Sequence, residues 1–287
     1  MTIEDVRYAL AASGLTTLLA QVDTLAQPAI RIAAQAAGPS GVAVGASALG
    51  GQPDLAPGTA WPAKQGAPLS FVGQIRLEAV APYESAHLLP PKGLLSFFYD
   101  AQQETYGTDP TDRAGFAVLY TADASGVQRQ PFPNALAAPA RFAPRVVTFS
   151  AGVTLPVTPT VALPQLAWTP DQQQTYEAVL ANVPGGPLAQ GVSARNQLLG
   201  FPDTLQDDMR LECQLASHGV SMAASATDPR TASLAVGAEN WQLLFQLDSD
   251  EQTGMHWGDG GMLYYWIERK ALDGCDFSQA WVVLQSN

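Results

Sequence analysis

The stretch Phe71-Val72-Gly73-Gln74-Ile75 is a short apolar run with one glutamine in it, and it returns later in the chain as Leu243-Leu244-Phe245-Gln246-Leu247. Two further motifs flank both copies in the same order. A turn with glycine and proline precedes each copy, and an apolar run that begins with glycine follows it. They are Gly51-Gln52-Pro53-Asp54 with Gly200-Phe201-Pro202-Asp203, and Gly93-Leu94-Leu95-Ser96-Phe97-Phe98 with Gly261-Met262-Leu263-Tyr264-Tyr265-Trp266. Each motif alone is common, but three in the same order predict an internal duplication.

Apolar runs bounded by Gly, Pro or Asp are typical of β-strands. The first half of the chain has such runs at residues 69–77, 94–99, 116–120 and 146–149. Ile30 and Ile32 alternate with other residues in the same way. The first half is therefore predicted to be mainly β-structure.

Two helical regions are also predicted. Residues 2–27 carry apolar side chains at helical spacing, with Thr2 as N-cap and a break at Gly14. Thr169 precedes Pro170 as an N-cap precedes the first helical position, which predicts a helix over residues 170–180. The sequence thus predicts an α+β fold, a mainly antiparallel β-sheet built from an internal duplication, with N-terminal and mid-chain helices.

Composition divides the chain into four parts. Residues 1–27 form an N-terminal helical appendage, 28–149 the first β-rich half, 150–189 a Pro/Ala-rich connection with a helix, and 190–287 the second β-rich half. The chain of 287 residues is at the upper edge of one domain, so we expect the halves to pack as one globular unit.

Charge and composition argue against several partners. The chain has 26 acidic and 14 basic residues, a net charge of -12, which repels phosphate groups. We therefore expect no nucleic acid and no membrane among its partners. No run approaches the ~20 apolar residues of a membrane-spanning helix. The acidic N-terminus differs from a secretory signal, which favours a cytoplasmic location.

Cysteine and histidine are scarce. Cys213 and Cys275 are too few for a disulfide framework and are expected to be free thiols. Three histidines, His87, His218 and His256, would have to converge from distant segments to form a multi-histidine metal site. The sequence contains neither a P-loop nor a dinucleotide-binding glycine motif, so no cofactor is predicted.

The sharpest polar cluster lies in residues 248–261, between two apolar runs. Its candidate binding residues are Asp248, Asp250, Glu251, His256, Trp257 and Asp259. Hard cations take several oxygen ligands from one short loop, which makes Asp248, Asp250 and Asp259 weak metal candidates. The spacing departs from an EF-hand, and the alternative is an acidic hairpin turn whose carboxylates accept from backbone N–H groups. Trp257 is the ring expected to be exposed, whereas Trp241, Trp266 and Trp281 are expected in the core.

Two other polar pairs are candidates for catalysis. Ser217 precedes His218, which matches part of a nucleophile and base arrangement, but no nucleophile elbow occurs in the chain. Asp207 and Asp208 are adjacent carboxylates that could serve in acid and base chemistry. Acids near a helix start are more commonly solvated charges that complement the helix dipole.

The residues quoted above also resemble a family. Gly50-Gly51-Gln52-Pro53-Asp54-Leu55, Trp61-Pro62 and residues 68–75 resemble the opening signature of the YwqG-like family of bacterial proteins of unknown function. Residues 198–202, 206–209, 244–250, 257–261 and 276–277 are similar to its later blocks. The resemblance covers about residues 28–285 and implies an α+β fold and an unassigned activity, with no catalytic residues.

The function is therefore unknown from sequence, and two hypotheses remain. The first is a cytoplasmic, non-enzymatic binding or interaction protein whose partner is a protein or peptide. The second is a hydrolase or other enzyme that uses the acidic loop 248–261, with or without a divalent metal ion.

Overall fold

A computed structural model of the chain describes residues 1–16, 19, 25–157, 168–187 and 194–286. Within these residues the strands are β1 (Gln27–Ala36), β2 (Ala48–Leu49), β3 (Asp54–Leu55), β4 (Ala63–Lys64), β5 (Ala67–Pro68), β6 (Ser70–Arg76), β7 (Leu94–Tyr99), β8 (Phe116–Thr121), β9 (Gln128–Arg129), β10 (Arg145–Thr154), β11 (Asn196–Leu198), β12 (Trp241–Asp248), β13 (Met262–Glu268) and β14 (Trp281–Gln285). The α-helices are α1 (Ile3–Ala12), α2 (Leu77–Val80), α3 (Pro170–Asn182), α4 (Arg210–Ser217), α5 (Thr231–Ala235) and α6 (Arg269–Asp273).

Ten of these strands form one antiparallel sheet in the order β14-β13-β12-β11-β1-β10-β2-β6-β7-β8. The central pair, β1 and β10, runs from Gln27 opposite Thr154 to Ala36 opposite Arg145 without a break in register. On one side β1 pairs with β11, and on the other β10 pairs with β2. The central pair therefore joins the two β-rich halves into a single sheet.

The two copies of the apolar run occupy corresponding places on the two sides of the sheet. Gln74 Oε1 accepts from Asp54 N at 2.8 Å, and Gln246 Oε1 accepts from Asp203 N at 2.8 Å. The register of β6 against β7 and of β12 against β13 shifts at the matching position, two residues before each glutamine. These shared contacts support the duplication, which stays a prediction about ancestry.

Each glutamine also uses its amide nitrogen in the same way. Gln74 Nε2 donates to Ala46 O at 2.8 Å, and Gln246 Nε2 donates to Arg195 O at 2.7 Å. Because both glutamines are fully buried, their hydrogen bonds replace water as partners of backbone groups in and near the glycine-proline turn of each half. The glutamine in the apolar run is thus a structural residue.

The core lies on the sheet and contains aromatic residues from both halves. Phe97 of β7 contacts Phe245 of β12 and Tyr265 of β13, with ring centroids 4.7 Å and 5.1 Å apart. A second, smaller cluster packs α1 against α3 through Val6, Leu10 and Tyr176. No described helix is both long and apolar enough to span a membrane.

Most local predictions agree with the structure. The α+β class and the antiparallel sheet are confirmed, and α3 begins at Pro170 as its cap predicted. Thr2 caps α1 in a capping box with Asp5, and α1 ends before Gly14. Residues 17–18 and 20–24 of the predicted N-terminal helical region lie outside the described residues, as do residues 158–167 and 188–193, and residue 27 begins β1. The four-part division of the chain stays a prediction.

We predict that Gln246→Leu lowers the free energy of unfolding by about 2 to 4 kcal/mol, because Asp203 N–H and Arg195 C=O would each lose a buried partner. The matched control is Gln242→Leu, a half-buried position on the same strand, which should cost less than about 1 kcal/mol. Urea unfolding followed by circular dichroism measures both. Equal losses in the two variants would contradict the role of Gln246.

Candidate functional site

The acidic loop, residues 248–261, connects β12 to β13 and lies against the first half of the chain. Ala143 N donates to Thr253 O at 2.8 Å, and the Arg145 guanidinium donates to Gln252 O. Gly258 N donates to Gln103 Oε1 at 3.3 Å. The loop is therefore fastened to the other half of the chain at three points.

The structure does not gather the carboxylates of this loop. Asp248 Oδ2 accepts from Arg195 N at 2.9 Å, and Asp250 Oδ1 accepts from Gln252 N within its own turn, also at 2.9 Å. Glu251, His256 and Asp259 are exposed. Burial raises the pKa of Asp248, although its backbone hydrogen bonds oppose that shift. Two of the three metal candidates thus accept hydrogen bonds from backbone N–H groups.

The ring of Trp257 is buried, contrary to the expectation that it would be exposed. It contacts the rings of Tyr99 and Phe142 at 5.7 Å and 5.5 Å, both nearly perpendicular, and its Nε1 donates to Asp248 O. An apolar ring beside two aromatic residues of the first half gains more from burial than from solvent contact. Sequence spacing within the loop carries no information about those distant rings. Trp241, Trp266 and Trp281 are buried, as expected.

Across the described ranges, no group of three or more His, Cys, Asp or Glu side chains is placed to hold a metal ion. The loop as a binding site stays a prediction, since the exposed Glu251, His256 and Asp259 remain accessible to a partner.

Ser217 and His218 are in contact, but their geometry does not suit nucleophile activation. Ser217 Oγ lies 3.0 Å from His218 Nδ1, and the same nitrogen lies 2.8 Å from Gln214 O. A carbonyl oxygen only accepts, so Nδ1 carries a proton when it contacts Gln214. That nitrogen cannot then accept the proton of Ser217.

In the first half of the chain, the hydroxyl of Thr105 lies beside the amine of Lys64. Lys64 Nζ is 2.7 Å from Asp100 Oδ2 and 3.1 Å from Thr105 Oγ1. Burial raises the pKa of Asp100, but the Lys64 ammonium and the hydrogen bonds to Gln102 N and Thr105 outweigh it and hold that pKa below its usual value. The Thr105 hydroxyl is fully buried, whereas Lys64 and Asp100 line a cavity of about 470 Å³ on the first half of the chain.

The structure shows a cavity that the sequence did not indicate. It has a volume of about 320 Å³ and lies between the Gly200-Phe201-Pro202 turn and the start of β12. Trp241 and Trp266 are aromatic lining residues, and the charged lining residues are two bases and two acids: Arg210, Arg269, Asp208 and Glu239. Aromatic walls with a few charged groups are typical of small-molecule sites.

Gly200 shapes one wall of this cavity. Its φ of 74° lies in the left-handed region, and a Cβ there would be 2.5 Å from Thr154 Oγ1 and 2.9 Å from the Ala29 side chain. Only glycine fits both the conformation and the space. The repeated turn motif is therefore held tightly against the central strand pair.

The tryptophans differ in what their indole N–H groups contact. Four of the six donate to a protein oxygen: Trp61 to Leu69, Trp241 to Gln214, Trp257 to Asp248 and Trp281 to Gly107. The buried Nε1 atoms of Trp168 and Trp266 have no acceptor within the described part of the chain, and of these two residues Trp266 is almost fully buried. No pattern in the sequence distinguishes Trp266 from Trp241, because the difference is the presence of an acceptor from a distant element.

Near the start of α4, two adjacent carboxylates affect the pKa of a third. Asp208 accepts from Arg210 Nε at 3.0 Å on both oxygens. Burial, and then the negative charges of Asp207 and Asp208, raise the pKa of Glu212 from 4.5 to about 7. The adjacent acids thus act on a third acid one helical turn away.

These features define the class: an antiparallel α+β protein with a partly polar cavity beside a repeated glycine-proline turn. A family model described as a domain of unknown function, DUF1963, matches residues 47–286. The chain belongs to this family. The finer YwqG-like name stays a prediction, and no curated protein matches the sequence.

We predict that Trp257→Ala lowers the free energy of unfolding by about 3 to 5 kcal/mol, because it removes a buried ring that joins the halves. His256→Ala, at the exposed neighbouring position, should change it by less than about 0.5 kcal/mol. Chemical unfolding measures both. A small effect of Trp257→Ala would mean that the loop does not hold the halves together.

Stability should also depend on the protonation of Glu212. Its pKa is higher in the folded protein than in the unfolded chain, so its contribution is present below about pH 4.5 and is lost as the pH rises through about 7. We predict that Glu212→Gln stabilises the protein by roughly 1 to 2 kcal/mol at about pH 8, after allowance for partial exposure. At about pH 4 the variant should match the wild type.

Unfolding across this pH range measures the effect. The control is Glu251→Gln, an exposed acid of the loop, which should give no comparable gain. A gain of the same size at both pH values would show that charge on Glu212 is not its cause.

Proposed function

We propose that this protein is a non-enzymatic binding protein that holds a small organic ligand in the cavity beside Trp266. The observation that carries the proposal is the buried Trp266 Nε1, a hydrogen-bond donor on a residue that lines the cavity and has no described acceptor. A buried donor without a partner costs about 1 to 3 kcal/mol, and a ligand acceptor would remove that cost.

The size of the cavity supports a small ligand. A volume of about 320 Å³ is at the lower end of typical small-molecule sites and is too small for a folded partner. The aromatic faces of Trp241 and Trp266 favour a ligand with a flat or aliphatic body.

Arg269 is the lining residue that suits a ligand with a carboxylate. Arg269 donates to Asp273 through Nε at 3.0 Å, and a guanidinium has further N–H donors that suit a planar carboxylate. Glu239 and Asn240 line the same cavity and could accept from polar groups elsewhere on the ligand. A free organic acid and the C-terminal residue of a peptide both present this chemistry.

A cytoplasmic location is part of the proposal. Cys213 and Cys275 are both free thiols, and Cys275 is exposed. Exposed free thiols persist in reducing compartments. A binding role is favoured over an enzyme that uses residues 248–261, because Asp248 and Asp250 accept from backbone N–H groups of different segments.

The test uses the indole N–H signals in a heteronuclear NMR spectrum of the labelled protein. The Trp266 signal, assigned with Trp266→Phe, should move when a low-molecular-mass extract of the native cells is added. The Trp61 signal should stay in place, because its N–H already donates to Leu69 O at 2.9 Å.

Mass spectrometry of the molecules that remain with the protein after gel filtration gives a second measurement. Arg269→Ala should retain them about tenfold less, as expected for the loss of one charge-assisted hydrogen bond. An unmoved Trp266 signal, or retention by Trp266→Phe and Arg269→Ala equal to that of the wild type, would overturn the proposal.

A further inference from the structure

A separate cavity of about 240 Å³ lies in the first half, where the chain leaves α2. Its lining is mostly hydrocarbon, with side chains of Leu77, Val80, Ala81, Leu89, Pro90 and Pro91. Glu84 and His87 complete the lining, and His87 is exposed to solvent. This cavity is distinct from the one beside Trp266, and no motif of the sequence analysis included it.

Glu84 is unusual for a carboxylate in such surroundings. Only 7% of the residue is exposed, its Oε2 accepts one long hydrogen bond of 3.4 Å from Leu89 N, and its buried Oε1 has no partner among the described residues. A buried charge without a partner is costly, so protein carboxylates in this position normally have a cation or several donors beside them.

The surrounding chain does not supply that cation. No described Lys, Arg or His nitrogen forms an ion pair with Glu84. Arg76, at the end of β6, pairs instead with Glu78 at 2.9 Å. Pro90 and Pro91 have no backbone N–H, so this wall cannot donate to Glu84. The cavity therefore offers an acceptor and an apolar surface, and the donor has to come from outside.

We propose that this cavity is a binding site for a primary alkylammonium group, whose nitrogen donates to Glu84 Oε1 and whose hydrocarbon chain lies along Leu77, Val80 and Leu89. An ammonium group has three donors and no acceptor, which suits a wall that offers a carboxylate and has two prolines. The net charge of -12 favours the approach of a cation to a cavity whose lining contains Glu84 and no Lys or Arg. An anion would meet Glu84 without a compensating donor.

The experiment titrates three molecules of the same length into the wild-type protein: n-pentylamine, n-pentanol and n-pentanoate. The Leu89 backbone N–H signal in NMR reports binding, because Leu89 N donates to Glu84 Oε2. At neutral pH we expect the amine to bind at least about tenfold more tightly than the alcohol, as for one charge-assisted hydrogen bond, and the pentanoate not to bind. Equal affinities of amine and alcohol, or no binding of the amine at millimolar concentration, would overturn the proposal.

Two charge-removing variants then localise the effect. Glu84→Gln should weaken the amine at least about tenfold and leave the alcohol unchanged, because only the charged acceptor is lost. The matched control is Glu78→Gln, an exposed acid that already pairs with Arg76, and its affinity for the amine should equal that of the wild type. Equal loss in the two variants would mean that the amine responds to overall charge and not to Glu84.

An alkylammonium group can belong to a free amine or to the lysine side chain of a partner. Cadaverine represents the free diamine, and Nα-acetyl-lysine methylamide represents lysine in a peptide. Tighter binding of cadaverine assigns the site to a free amine, and tighter binding of the lysine derivative assigns it to a partner protein. If pentylamine binds but neither cadaverine nor the lysine derivative does, the site serves neither a diamine nor a lysine side chain and takes only unbranched monoamines.

Discussion

The long antiparallel pairing of β1 with β10 is the interaction on which the rest of the structure depends. Ten residue pairs without a register shift place this ladder in the middle of the sheet, with one half of the chain on each side. Each edge of the pair would otherwise expose unpaired backbone groups; β11 pairs with residues 30–32 on one edge, and β2 pairs with residues 145–146 on the other. Six strand spacings separate β7 from β12 in this order, so the contacts of Phe97 with Phe245 and Tyr265 show that the two sides of the sheet curve towards each other around the aromatic core.

The glycine-proline turn occurs in both halves, but the arginine contacts of its aspartate differ between them. Arg129 holds Asp54 through two contacts, Nε to Oδ1 at 2.5 Å and Nη2 to Oδ2 at 3.2 Å. Arg31 reaches Asp203 through one contact of 3.4 Å, and Asp203 Oδ1 is buried without a described donor. In the first turn, both carboxylate oxygens of Asp54 thus accept from protein donors. In the second turn, Asp203 Oδ1 has no described donor, and Asp203 is close in sequence to residues that line the cavity beside Trp266. This asymmetry agrees with a structural role for the first turn and a binding role near the second.

Local features were predicted well from the sequence, and the site was not. The cap at Thr169, the strand at residues 94–99 and the burial of Trp241, Trp266 and Trp281 follow from propensities and patterns within a few residues. Trp257 was assigned to the wrong environment because its burial depends on Tyr99 and Phe142, more than a hundred residues away. Asp248 likewise accepts from Arg195 N, a partner that no loop pattern could indicate.

By itself, the sequence determined the α+β class, the repeated order of motifs and the overall negative charge, since these depend on composition and on periodicity along the chain. Only the tertiary structure decided which polar groups lack a partner, and two of these groups, Trp266 Nε1 and Glu84 Oε1, lie on residues that line the proposed sites. Trp266 Nε1 and Glu84 Oε1 have the same local chemistry as many satisfied atoms in this chain. Whether such an atom finds a hydrogen-bond partner depends on the backbone that packs against it, and that backbone comes from another part of the sequence.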